Sequence, residues 1–141
     1  MIYKKNEKIV IFFFTLSQKS CIKGSSTRDM KAEKTFETKI KRYLESVGVY
    51  ALGTDYRNKP VPAVGYYEKR WGGGMFTKAG LPDMHICIHG HSIELEIKAE
   101  RGRLSELQKE MLHQINASGG YALVVYPKDF EALKQNIERF L

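Results

Sequence analysis

Asp83, Glu96 and Lys98 stand at spacings that let three different side chains work on one reaction. They lie in GLPDMHICIHGHSIELEIKAERG, residues 80–102. From 83 to 88, apolar Met84, Ile86 and Ile88 alternate with Asp83, His85 and Cys87. From 91 to 98, apolar Ile93, Leu95 and Ile97 alternate with Glu94, Glu96 and Lys98. Alternation with a period of two marks half-buried strands, and His89-Gly90 between the runs suits a two-residue turn. That turn predicts Ile88 opposite His91, Ile86 opposite Ile93 and Met84 opposite Leu95, so all the apolar residues share one face. On the other face Asp83 falls opposite Glu96 and His85 opposite Glu94, with Lys98 two residues beyond Glu96. A slip of one residue would mix the faces, which argues for this register.

Two carboxylates side by side repel unless a cation lies between them. Their oxygens suit Mg²⁺, which takes one or two carboxylates and completes its shell with water and phosphate. A lysine beside such a site can orient or deprotonate a water and stabilise developing negative charge. Pro82-Asp83 followed by Glu96-Ile97-Lys98 resembles the PD-(D/E)xK nuclease signature. Taken with Gly80-Leu81, Ala99, Gly102-Arg103-Leu104-Ser105 and Gln108, the stretch resembles the VRR-NUC family, the virus-type replication-repair nucleases. The likeness runs from about Glu33 to Tyr126.

The resemblance implies an α/β fold with a restriction-endonuclease-like core, a mixed central sheet flanked by helices. It implies a metal-dependent DNA endonuclease, a hydrolase of phosphodiester bonds selective for branched DNA such as four-way (Holliday) junctions. Asp83 and Glu96 would hold Mg²⁺ or Mn²⁺ together with the main-chain carbonyl of Ile97. A first-helix glutamate would join them: Glu37 by preference, as the Phe36-Glu37 pair, and Glu33 as second choice. Lys98 would position the attacking water, and Gln108 would contact that lysine or the substrate. Standalone members occur in phages and prophages and are thought to pair, which implies a homodimer in the cytoplasm of a bacterial or phage-infected cell. Rival readings are a DNA-binding protein that has lost catalysis and a restriction-type endonuclease that reads sequence.

The elements that must position these residues follow from periodicity. A length of 141 residues suits one domain with a real core. Net charge is +7, but residues 1–29 hold six Lys/Arg against two Asp/Glu, so most of the excess is local. Cys21 and Cys87 show no paired spacing, which suits a reducing compartment. The apolar run 9–16 is too short to span a bilayer and lacks a small-residue cleavage site after it. Residues 1–29 therefore form an atypical extension, expected to be read-through upstream of a working start at Met30, or else an extra strand. The nuclease domain is expected at 30–141.

Within that domain, Phe36, Ile40, Tyr43, Leu44 and Val47 follow a 3.6-residue period, predicting a helix over 31–47 that Gly48 ends. Glu33 and Glu37 flank its stripe, where solvated face charges are the ordinary alternative. Strands are expected at 49–54 and 63–67. Lys69, Arg70, Trp71, Gly73 and Lys78 lie in or beside a triple-glycine loop that leads into Asp83. Cations among aromatics there suit phosphates and unstacked bases, although Trp71 in a structural turn would serve packing alone. Arg101 and Arg103 add a basic connection after the hairpin.

Ser105 should start a helix to 118, and Gln108 has the spacing of a capping box, a structural reason for its presence beside the catalytic one. YALVVY, 121–126, predicts a central strand, and Asp129 a cap for the last helix. His85, Cys87, His89 and His91 imitate a zinc site. However, structural zinc usually draws ligand pairs from separated segments, and no second pair accompanies these.

Overall fold

The computed structural model describes residues 27–70 and 78–141. Helix α1 (Thr27–Ser46) opens it, followed by strands β1 (Val49–Ala51), β2 (Gly65–Lys69), β3 (Met84–Ile88) and β4 (His91–Ile97). Helix α2 (Glu106–Ala117), strand β5 (Tyr121–Val125), a 3-10 turn (Pro127–Asp129) and helix α3 (Phe130–Glu138) complete it. The five strands form one mixed sheet in sequence order. The β1–β2 and β4–β5 pairs are parallel, and the two central pairs antiparallel. The architecture is a mixed α/β sheet with helices packed against it.

The β3–β4 hairpin has the register its alternation predicts, with Met84 beside Leu95, His85 beside Glu94, Ile86 beside Ile93 and Ile88 beside His91. Its turn residues, His89 and Gly90, have φ of 46° and 84°. Two positive φ values in a row describe the two-residue turn whose twist matches the strands. Met84, Ile86, Ile88, Ile93, Leu95 and Ile97 are almost fully buried. They form one core with Phe36, Ile40 and Leu44 of α1 and Phe130, Leu133 and Ile137 on the last helix. Edge-to-face contacts of Phe130 with Phe36 and Tyr43 tie α1 to α3 on this side.

The other face carries Glu94, Glu96 and Ala122, and α2 covers its β4–β5 end. Gln108 of α2 reaches Glu96, and the Asn116 amide exchanges hydrogen bonds with the backbone of Ala122. Crossing from β4 through α2 to β5 makes a parallel pair that only such a long connection can join.

Three expectations need correction. β5 is an edge strand rather than a central one. Its apolar run is explained by helices on both faces, with Ala122 towards α2 and Val125 towards α3. Asp129 stands at the N-cap of α3, but its side chain makes no capping bond, because the 3-10 turn already leads into the helix. α1 begins at Thr27, four residues before the helix start expected at 31. The read-through expectation for the remainder of the 1–29 extension lies outside the described residues. Among those described, no helix is long and apolar enough to cross a membrane.

Candidate active site

Asp83 precedes β3, and its Oδ2 accepts a hydrogen bond from the main-chain N–H of Ile97 at 2.8 Å. That bond extends the hairpin one step beyond the regular ladder and fixes Asp83 at the end of β4. Arg70 N–H donates to the Asp83 carbonyl at 2.8 Å and holds the same corner from β2.

Glu96 is 1% exposed, the most buried charged group among the described residues. Its Oε1 pairs with Lys98 Nζ at 2.5 Å and also accepts from Gln108 Nε2. Its Oε2 is buried with no hydrogen-bond partner. Burial raises the Glu96 pKa to about 7; the Lys98 ammonium opposes this, while the Asp83 and Glu33 charges add to it. A buried carboxylate oxygen left unpaired is costly and uncommon, and such groups mark functional sites.

Gln108 serves two structures with the two ends of one amide. Its Oε1 accepts from Ser105 N–H at 3.0 Å, and Ser105 Oγ accepts from Gln108 N–H at 3.2 Å, which completes the capping box of α2. Its Nε2 donates to Glu96. The cap thereby aims the first turn of α2 at the buried carboxylate.

The two first-helix glutamates separate clearly. Glu33 lies where Lys98 and Asp83 act on it and where the Ala99 N–H donates to it. Burial raises its pKa, more than Lys98 and that N–H lower it. Glu37 is buried too, but Lys41 and Lys69 bind it and hold it below the usual carboxylate range. The structure therefore places Glu33, rather than the preferred Glu37, with Asp83, Glu96 and Lys98. The two residues are one turn apart, and sequence spacing alone does not tell which reaches the strand end.

The other predicted residues fall at several depths. Lys69 binds Glu37, and Arg70 forms a two-pronged pair with Glu94, whose Oε1 also meets His85 Nδ1 at 2.9 Å. Both cations thus hold carboxylates of the fold. Lys78, Arg101 and Arg103 are exposed around the corner that follows Lys98 and precedes Asp83. Trp71 and Gly73 lie outside the described residues. Ile97 is buried in the core with its N–H given to Asp83.

The sequence reading missed Tyr126. Parallel pairing sets Ile97 beside Val125, and Lys98 N–H donates to the Val125 carbonyl at 3.0 Å. Tyr126 therefore follows directly alongside Lys98. Burial raises its pKa, with Lys98 lowering it and the Asp129 and Glu96 charges raising it. Only the β4–β5 pairing reveals this neighbour, and no local motif encodes it.

The donor chemistry fits a hard divalent cation in part. Asp83, Glu96 and Glu33 are oxygen donors whose charges act on one another, and Glu96 Oε2 lacks a partner. Among the described residues, no three His, Cys, Asp or Glu side chains converge as a ready-made metal cage. Mg²⁺ does not require one, since it keeps several waters and takes substrate phosphate oxygens. The chain matches no family model, no curated protein and no solved structure.

Proposed function

We propose that the protein is a divalent-metal-dependent DNA endonuclease built on a restriction-endonuclease-like core, of the VRR-NUC kind, with this corner as its active site. The observation that carries the reading is the buried, half-unpaired Glu96 set among Asp83, Glu33 and Lys98. A structural ion pair does not need one carboxylate oxygen left bare, whereas a cation site does.

When bound, Mg²⁺ or Mn²⁺ supplies charge neutralisation at the scissile phosphate and acidifies a water. Asp83, Glu96 and Glu33 are the side chains that would hold it. Lys98, kept in place by Glu96, orients the attacking water and faces the negative charge that develops on the phosphoryl oxygens. Gln108 binds the same Glu96 oxygen as Lys98 and fixes the carboxylate from α2, so the reacting geometry is set before substrate arrives. Exposed Lys78, Arg101 and Arg103, in the segments before Asp83 and after Lys98, suit backbone phosphates.

One carboxylate cluster makes one cut, so resolving a four-way junction calls for two chains related by a two-fold axis. The active species is therefore a homodimer on branched DNA. The test uses labelled linear, flap and four-way DNA incubated with Mg²⁺, with Mn²⁺ and with EDTA. Metal-dependent cleavage favouring branched substrates is expected. Tight binding with no cleavage in either metal would leave a DNA-binding protein in its place, and cleavage confined to one linear sequence a restriction-type enzyme.

A further inference from the structure

Beside the candidate site, a groove of about 530 Å³ runs between the N-terminal half of α1 and the start of the 3-10 turn. Arg28, Lys31 and Lys39 line it, and Ala32, Phe36 and Pro127 give it an apolar floor. No carboxylate lines it. This is not for want of acids on α1, three of which find partners elsewhere. Glu33 turns to the Ala99 N–H, Glu37 to Lys41 and Lys69, and Glu45 to the Tyr67 hydroxyl. Arg28, Lys31 and Lys39 are left on the groove side. Lys39 lies 4.0 Å over the Phe130 ring, and Arg28 and Lys31 form no ion pair among the described residues.

The groove adjoins the site through the chain itself. Pro127 in its wall follows Tyr126, which stands alongside Lys98.

We propose that this groove holds a single-stranded arm of the DNA substrate, its phosphates on Arg28, Lys31 and Lys39 and its sugars and bases over the apolar floor. The inference rests on the nuclease reading of the neighbouring site. Charge selects a polyanion, and an apolar floor between cations suits an unpaired strand, whose bases are open to it, better than a duplex, which offers mainly phosphates.

Binding is read by fluorescence anisotropy of a labelled oligothymidylate and a blunt duplex, with full-length protein in EDTA so that cleavage does not intervene. Arg28→Glu/Lys31→Glu should weaken oligothymidylate binding at least tenfold and flatten its salt slope by about 1.4, the value for two phosphate contacts on a single strand. Duplex binding should change less. The charge-matched control Lys59→Glu/Arg139→Glu, away from the groove, should leave the single strand bound nearly as before. Equal losses in both double variants, or a loss confined to the duplex, would overturn the proposal. So would a change in sedimentation mass without a change in binding, which would make the groove a protein interface. Circular dichroism of each variant confirms that it is folded. Flap cleavage separates the two readings: wild-type protein that binds oligothymidylate and cuts nothing refutes the nuclease alone. A double variant that binds and cuts like wild type refutes the groove alone.

Discussion

At the residue scale, Glu96 concentrates the tension of the site. Its folded pKa of about 7 lies above the ordinary carboxylate value of 4.5, so the folded state binds a proton there that the unfolded chain has already lost. Through this group, stability falls as pH rises from about 4.5 to about 7, by roughly 3 kcal/mol at most. Glu96→Gln should therefore melt higher than wild type at pH 8 in EDTA, with the gap closing below about pH 4.5. Thermal melts across that range check it; a variant less stable at pH 8 would contradict the burial argument. Adding Mg²⁺ should raise the wild-type melting temperature at pH 8 and leave the variant unmoved. The glutamate pair gives a second contrast. Glu33→Gln should lower cleavage at least tenfold with little loss of stability. Glu37→Gln should instead cost about 1 kcal/mol or more by removing the charge that Lys41 and Lys69 bind, with cleavage nearly unchanged. The reverse pattern in paired kinetic and melting measurements would restore Glu37 to the site.

At the element scale, the first turn of α2 joins folding to chemistry. Ser105→Ala removes the cap and should cost about 1 kcal/mol while sparing most activity. Gln108→Glu keeps an oxygen for Ser105 but places a second carboxylate against Glu96, so it should lower activity far more than stability. Equal effects of both variants on cleavage would leave Gln108 as a cap only. β2 has its own constraint at Gly65, where an added Cβ would lie 2.1 Å from the Cys87 carbonyl oxygen. Gly65→Ala should destabilise by about 1–3 kcal/mol, as overpacking does, measured by denaturant unfolding. Much of this level was legible in the sequence. The Met84-to-Ile97 alternation and the His89-Gly90 turn carry the hairpin register, and the Ser105–Gln108 spacing carries the cap. What local pattern does not encode is pairing between distant segments. β5 docks beside β4 and brings Tyr126 to Lys98, and α1 lies at an angle that presents Glu33 instead of Glu37. Arg70 and Lys69 look like free phosphate ligands in a linear sequence, but the folded sheet gives them Glu94 and Glu37.

At the scale of the whole molecule, the sheet divides labour between its faces. One face buries aliphatic and aromatic side chains under α1 and α3, which supplies rigidity. The other keeps Glu96 near the end of β4, against the first turn of α2, with Asp83 just before β3. A single such corner per chain is the ground for the proposed dimer. Mixing active chains with Glu96→Gln chains on a junction extruded from supercoiled plasmid should yield mostly nicked circles, whereas wild type should linearise the plasmid. A protein monomeric by light scattering with and without DNA, yet cutting both strands efficiently, would exclude paired sites.

The most direct test of the central claim is the Mg²⁺-dependent cleavage rate of branched DNA by wild type, Glu96→Gln and Lys98→Ala, each shown to be folded and to bind DNA. Wild type should cut with Mg²⁺ and stop with EDTA, and both variants should lose at least a hundredfold in rate while binding DNA nearly as well. Variants that cut at the wild-type rate would show that the chemistry lies elsewhere in the chain.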